Sequence, residues 1–537
     1  MWNYADLWET VAGAIPDRPA QIHGDRQLNW ADFDRRADGL ARHLLDAGLG
    51  RQAKVAAYLH NAPEYLETYF AAFKAGLAPV NTNYRYVADE LLYLFDNADA
   101  EAVVFHAAFT ATVEEIRPRL PKVKTWIAVA SPGHPVPAFA VDYQAVAERG
   151  VGRTHGPWGR SADDLLLLYT GGTTGMPKGV MWRQEDLFFV LGGGGNLLLD
   201  LPPFESLPDA DERARARDPG VTIAAAPLMH GTAQFTAMGA LTAGGAVACL
   251  PSTRFDAVEF WSEAARLKAT GAAIVGMAFA APMLDVLEAN PGRWDLGALL
   301  RLGSSGTVWS MENKQGLLRH LPQCAIFDSL GSSEAVGLGA SSSAAGAEAQ
   351  TARFMVGPNS AVFTEDGRRV APGSGERGQV AVSGFLPVGY YKDPEKSART
   401  FRQFEGRRWS VPGDFATVEG DGTLRLLGRG SQVINTGGEK VFPEEVEEAI
   451  KRYPGVRDAA VVGVPDPRFG ERVCAVVDMN GAHGPALAAI SDHVRVHLAA
   501  YKAPRELVLA PIVRAPNGKL DYPSLRALAL GALADRI

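Results

Sequence analysis

A run of buried-strand character, Asp163-Asp-Leu-Leu-Leu-Leu-Tyr169, leads directly into Thr170-Gly-Gly-Thr-Thr-Gly-Met-Pro-Lys178-Gly-Val180. No other segment constrains the chain as much. The apolar run fixes a strand in a sheet, and the sequence from Trp182 onward reads as a helix, so the residues between them are expected to form a loop. Gly171, Gly172, Gly175 and Gly179 lower the steric cost of unusual backbone angles there. Backbone N–H groups in such a loop converge on phosphate oxygens, Thr170, Thr173 and Thr174 add hydroxyl donors, and Lys178 adds positive charge. The spacing is not the GxxxxGK[ST] of nucleotide-triphosphatase P-loops, and no such string occurs in the chain. The segment reads as a phosphate cradle of a different kind.

The surrounding chain alternates helical and strand patterns, which favours parallel sheets covered by helices. Ala31–Ala47 and Pro63–Ala75 have helical spacing, whereas Ala53–Leu59, Ala100–His106 and Val221–Ala226 read as strands. Glu205–Pro219, charged and bounded by proline, reads as a surface insertion, and Ser341–Thr351 as a mobile loop. Beyond a linker at 429–432, Glu444–Tyr453 and Ile490–Leu498 read as helices, and Val456–Val464 and Val473–Met479 as strands. The expected organisation is an α/β protein. A large N-terminal domain of several subdomains with parallel-rich sheets (1–428) precedes a hinge (429–432) and a small mobile α+β lid (433–537).

At 537 residues with 47% hydrophobic content, the chain is long enough to bury several cores, and its net charge of −8 argues against a general nucleic-acid binder. Cys249, Cys324 and Cys474 lack metal-ligand spacing and suggest a reduced compartment. No secretory signal and no apolar run of the ~18–20 residues needed to span a bilayer is visible, so a cytoplasmic location is expected. Two motif matches fail on context. Gly373-Ser-Gly-Glu-Arg-Gly378 satisfies GxGxxG but precedes a strand when it should follow one, and His493 with His497 lacks a third metal ligand. GxSxG is absent, so a serine-hydrolase elbow is unsupported.

Tyr169–Val180 resembles the signature loop of the adenylate-forming superfamily, which includes acyl-CoA synthetases, luciferases and the adenylation domains of peptide synthetases. Further motifs follow in that superfamily's order. Asp328-Ser-Leu-Gly-Ser-Ser-Glu334, which by itself reads equally as a helix N-cap, resembles its metal and adenine loop. Gly303-Ser-Ser-Gly-Thr-Val-Trp309 resembles its adenine segment, Trp409-Ser-Val-Pro-Gly-Asp414 its ribose motif, Asn435–Glu447 its thioester-forming loop, and Pro516-Asn-Gly-Lys519 its catalytic-lysine turn. Asn81–Tyr86, Met176–Arg183 and Pro387–Asp393 extend the likeness to actinobacterial ligases that activate steroid side-chain and other bulky polycyclic acids.

The resemblance implies ATP, Mg2+ and coenzyme A as cofactors and a small-molecule carboxylic acid as substrate. The nucleotide would meet Thr170, Gly171, Gly172, Thr173, Thr174, Gly175 and Lys178 at the phosphates. Ser305, Gly306, Thr307, Asp328, Ser329, Leu330, Gly331 and Ser333 would line the adenine, and Asp414 and Arg429 the ribose. Glu334 would hold the metal, and Lys519 would stabilise charge at the α-phosphate. His230, Gly231, Gly276 and Gly306 would border the acyl group, Gly437, Gly438, Glu439 and Lys440 the CoA chain, and Ser431 would be the hinge residue. Gly192–Gly195 and Gly276–Ala281 either leave room for a wide acyl cavity or permit tight packing.

The implied reaction is AMP-forming acyl-CoA ligation, with Lys178, Glu334 and Lys519 as the catalytic residues. Two competing expectations remain. Thr307, Val308 and Trp309 depart from the family where the nucleotide should sit, which would leave a ligase confined to a supplied acyl-adenylate. The other expectation is transfer of the acyl group to a carrier protein. A homodimer is among the assemblies open to the chain.

Overall fold

The computed structural model describes residues 2–172, 175–195, 201–306, 309–346, 353–436, 439–466, 470–480, 484–498, 500–514 and 518–534. Among these residues, two eight-stranded sheets, a seven-stranded sheet and a five-stranded sheet follow one another in space, each with helices or a neighbouring sheet on its apolar face.

The first sheet carries the strands Val221–Ala224, Ala246–Cys249, Gly271–Ile274, Arg301–Ser305 and Ala325–Ser332 side by side and parallel. The pairings Thr222↔Gly271, Gly271↔Arg301 and Arg301↔Ala325 keep them level, so their carboxyl ends open on one edge. In open α/β sheets that edge is where ligands bind. The second sheet is parallel through Lys54–Tyr58, Ala78–Asn81, Ala100–His106 and Thr125–Val129, and then turns antiparallel at Leu165–Gly172 and Gly175–Arg183.

Local chemistry sets the helices between them. Asn29 caps Trp30–Asp46 by accepting the Asp32 N–H at 2.7 Å, Pro63 opens Pro63–Ala75, and Gly76 closes that helix at φ 67°. The seven-stranded sheet from 353 to 429 is antiparallel. It ends in the pair Asp414–Val418 and Leu424–Arg429, with Asp414 opposite Arg429. Residues from Ile434 onward form a separate sheet, with Val456–Asp466 against Gly470–Met479, and two apolar clusters drawn only from this part of the chain.

The expected α/β class and the small terminal sheet are present, and the strand Ala100–His106 and helix Pro63–Ala75 fall where their patterns put them. Two expectations are corrected, at 175–183 and at Ser341–Ser343, and two others are made specific. Residues 175–183 are a strand and the helix starts only at Gln184, because Val180 and Trp182 alternate into the core with the residues of the preceding strand. Glu205–Pro219 contains the helix Leu207–Ala216, capped by Ser206; Ala210 and Ala214 are buried, and Arg18 donates to the Ala214 carbonyl at 2.8 Å. Ser341–Ser343 end a strand, so the reading of a loop there fails for them, while 347–351 lie outside the described residues. The glycines at 193 and 194 permit tight packing and do not widen a cavity: a Cβ on Gly193 would stand 2.9 Å from Pro203, and one on Gly194 would enter the Phe204 ring.

Candidate active site

The segment read as a phosphate cradle belongs to a β-hairpin. Thr170 pairs with Lys178 and Gly172 with Gly175; Thr173 and Thr174 lie outside the described residues. Gly179 is dictated by its neighbour across the hairpin. A Cβ there would come within 2.5 Å of the Tyr169 ring, so only glycine lets that ring lie flat on the strand, with its hydroxyl on Asn97 at 2.7 Å. Asn81 fixes the hairpin to the sheet, accepting the Tyr169 N–H at 2.5 Å and donating to the Tyr169 and Met229 carbonyls at 2.8 and 2.7 Å. The segment containing His230 is thereby tied to the phosphate hairpin.

Lys178 is ion-paired with Asp393, and its ammonium holds the Asp393 carboxyl below the usual carboxylate range. Glu334 sits at the turn of the hairpin formed by Ala325–Ser332 and Ala335–Ser343 and is clamped from several sides. Tyr390 donates to its Oε1 at 2.6 Å, Ser410 donates to its carbonyl at 2.6 Å, and Trp182 donates to the carbonyl of Ser333 at 3.0 Å. Asp393 and Tyr390 carry these contacts without having been assigned a role in the sequence. Their only signal there was the segment Pro387–Asp393, which resembles relatives as a block.

Among the described residues no group of three or more His, Cys, Asp and Glu side chains could hold a metal. One carboxylate on a rigid turn beside a phosphate hairpin fits Mg2+, which takes one or two carboxylates and completes its shell with water and phosphate oxygens.

Ser305 and Gly306 end their strand beside Ser329, and the Gly276 N–H bonds the Ser304 hydroxyl at 2.9 Å. Gly306, at φ 90°, and Gly276 thus meet at the carboxyl edge of the sheet, with Thr307 outside the described residues. Asp328 and Leu330 point inward from their strand. Asp328 is ion-paired with the buried Lys314, and burial pushes its carboxyl up against that pairing. Leu330 joins the apolar cluster of Leu338, Phe354 and Val380, while Ser329 between them is exposed. Gly331 and Ser333 continue toward the Glu334 turn.

Trp309 does not stand in the nucleotide's place, which corrects the expectation raised from its size. It is fully buried, its indole N–H donates to Asn313 at 2.7 Å, and Asn313 donates in turn to the Ala280 carbonyl at 3.2 Å. The indole fills the core between two helices.

His230 precedes the helix Gly231–Thr242, and Gly231 faces Leu168 of the phosphate hairpin. Burial, then the charges of Lys519 and Arg85, push the His230 imidazole down to about 4, so it is neutral near pH 7. Gly518, at φ 74°, lies against Val275, where a Cβ would come 2.8 Å from its Cγ1. Arg514 bonds Asp458 at 2.7 and 2.9 Å and the Gly518 carbonyl at 2.9 Å. Asp414 is buried opposite Arg429, Ser431 lies in the 3-10 turn Gly430–Gln432, and Glu439 and Lys440 lie on the short strand Glu439–Val441. Gly437 and Gly438 are outside the described residues. His493, rejected as a metal ligand from sequence, bonds the Ala449 carbonyl at 3.0 Å.

The Lys178 hairpin, with Asp393 and Tyr390, thus meets the Glu334 turn, while Gly518, beside Lys519, packs on Val275 at the carboxyl edge of the first sheet. The profile of the AMP-binding enzyme family matches residues 8–391, and that of the AMP-binding enzyme C-terminal domain matches 445–519. The chain belongs to this family, within the adenylate-forming superfamily.

Over 529 residues it is 42% identical to the medium/long-chain-fatty-acid–CoA/3-oxocholest-4-en-26-oate–CoA ligase of Mycolicibacterium smegmatis, a match covering 97% of this chain and 95% of that one. Over 536 residues it is 41% identical to the 3-oxocholest-4-en-26-oate–CoA ligase of Rhodococcus rhodochrous, covering 97% and 94%. Its fold matches that of the anthranilate CoA ligase AuaEII solved with anthranoyl-AMP, with a TM-score of 0.84, 21% identity and coverage of 99% and 98%.

Proposed function

We propose that this protein joins a bulky hydrophobic carboxylic acid, steroid-like or long-chain, to coenzyme A through an acyl-adenylate, consuming ATP and releasing AMP and pyrophosphate. The carrying observation is the packing of Gly518, next to Lys519, against Val275 at the carboxyl edge of the first sheet, the sheet whose last hairpin holds Glu334. The acid class rests on relatives named for 3-oxocholest-4-en-26-oate and for medium- and long-chain fatty acids.

In the first half-reaction a carboxylate oxygen of the acid attacks the α-phosphorus of ATP, and the bond to pyrophosphate breaks. Lys178 offsets charge on the phosphates, and Lys519 holds the α-phosphate oxygens as charge grows on them. Magnesium bound at Glu334 would neutralise phosphate charge. His230, neutral and close to Lys519, orients the incoming carboxylate without adding a competing charge. Residues 429–432 then act as the hinge between the domains 1–428 and 433–537. Rotation there withdraws Lys519 and brings Gly437, Gly438, Glu439 and Lys440 to the crevice, where the CoA thiolate attacks the acyl carbonyl and AMP leaves. The orientation described here, with Gly518 against Val275, suits the first half. Three buried free cysteines fit a reducing, cytoplasmic setting.

The test offers steroid, long-chain and acetic acids with ATP and CoA, and follows thioester and pyrophosphate together by mass spectrometry and a pyrophosphate assay. Thioester from the polycyclic or long-chain acids, far above that from acetate, is the expected outcome. Absence of thioester from every acid, or a preference for acetate, refutes the proposal.

A further inference from the structure

Lys178 is not the only ammonium group on the phosphate face. The strand Gly389–Tyr390 pairs with Val180 and Met181 beside it, and the chain then turns into the helix Pro394–Thr400. Asp393 ties the two segments together. One of its oxygens takes the Lys178 ion pair, and the other accepts the backbone N–H of Lys396 at 2.9 Å. The Ser397 hydroxyl closes the turn, accepting the Tyr390 N–H at 2.8 Å and donating to the Asp393 carbonyl at 2.7 Å.

A lysine on an exposed short helix ordinarily extends into water. Lys396 instead lies half-buried, with its Nζ 4.4 Å from the centre of the Tyr390 ring, the same ring whose hydroxyl donates to Glu334 at 2.6 Å. Its ammonium is within the electrostatic reach of Glu334, Lys178, Asp393 and Arg399. The fold therefore places the Lys178 ammonium on the Asp393 carboxylate and the Lys396 ammonium on the Tyr390 ring, whose hydroxyl reaches Glu334. Such an arrangement has a cost unless an anion of higher charge than Asp393 arrives to occupy it.

We propose that Lys396 is a second pyrophosphate-binding residue, and that Asp393 is a resident counter-ion which Lys178 exchanges for the β- and γ-phosphates. The inference rests on the adenylating function proposed above and adds a residue to it. Tyr390 serves as the platform: its ring fixes the Lys396 ammonium and its hydroxyl fixes the Glu334 carboxylate, so cation and metal-suited carboxylate keep a set spacing.

The experiment measures binding of magnesium pyrophosphate to the full chain by calorimetry, in the wild type, Lys396→Gln, Lys396→Arg and Lys392→Gln. Lys392 is the control for net charge, since it lies close in sequence but is exposed and paired with Asp99 at 2.7 Å. Losing a charge-assisted contact to phosphate is expected to weaken pyrophosphate by about tenfold or more in Lys396→Gln, with most of it restored in Lys396→Arg and about twofold change at most in Lys392→Gln. CoA ligation from a synthetic acyl-adenylate should persist in Lys396→Gln, which marks a folded protein; if it does not, recovery of pyrophosphate binding in Lys396→Arg upholds the inference and its absence overturns it. Equal pyrophosphate affinity in wild type and Lys396→Gln, equal losses in the Lys396 and Lys392 variants, or a wild type that does not bind pyrophosphate also overturns it. The functional proposal fails separately, on absence of thioester from every acid.

Discussion

Lys519 is exposed, yet the turn beneath it is held from the inside. Arg514 spans from the buried Asp458 to the carbonyl next to Lys519, and Tyr522 donates to the buried Glu447 at 3.0 Å just beyond it. Such a support fixes the backbone from which the lysine extends. Lys519→Ala is expected to abolish acid-dependent exchange of labelled pyrophosphate into ATP while keeping CoA ligation from a supplied acyl-adenylate. Equal loss of both would refute a role confined to the first half-reaction. Arg514→Met should lower the same exchange, by weakening the support and leaving the lysine in place, and should depress the rate more than the affinity for acid.

His230 makes a pH statement. Its folded-state value near 4 lies below the ordinary 6.5, and that of His106, pushed down first by burial, is also about 4. Between these values the unfolded chain binds protons that the folded chain excludes, so stability rises with pH through that window and levels off above it. Denaturation midpoints measured from pH 4 to 7 should climb and then flatten. His230→Asn should reduce the climb, and an unchanged slope would show that the imidazole is solvated.

At the scale of elements, the hairpin Leu165–Arg183 depends on one missing side chain. Gly179→Ala sets a methyl against the Tyr169 ring, and overpacking of this kind costs about 1–3 kcal/mol, read as a lowered denaturation midpoint. Tyr169→Ala in the same chain should recover the steric part of the loss; failure to recover it would place the strain elsewhere.

A parallel contact governs the lid. Gly428, at φ 122°, lies beneath the Glu444 carboxylate at the start of the helix Pro443–Lys451, so a Cβ there would fall on the carboxylate. Gly428→Ala should therefore disfavour the lid orientation described here and reduce pyrophosphate exchange more than ligation from acyl-adenylate. A uniform loss would instead indicate strain in the strand itself.

For the whole molecule, the question is whether one chain performs both half-reactions. The doubt came from Thr307, Val308 and Trp309 at the expected nucleotide edge. Trp309 belongs to the core with Asn313 and Ala280, which removes the bulkiest of the three objections. Robust acid-dependent exchange of pyrophosphate beside CoA ligation is the expected outcome. Ligation without exchange, across acids whose adenylates are accepted, would establish the half-enzyme instead.

The sequence by itself determined the class of fold, because alternating apolar periods of strand and helix are written residue by residue, as in Pro63–Ala75 and Ala100–His106. It also singled out Lys178 by its place in a glycine- and threonine-rich segment, and Glu334, Asp414 and Lys519 through the resemblance of their motifs to those of the adenylate-forming superfamily. Tertiary structure decided what depends on partners distant along the chain. The strand at 175–183 forms because Leu165–Gly172 lies beside it, the buried place of Trp309 depends on two helices closing over it, and the shared carboxylate of Lys178 comes from Asp393, far along the chain. Local patterns record which face a residue wants buried; only the packed chain settles which neighbour, and which opposite charge, it meets there.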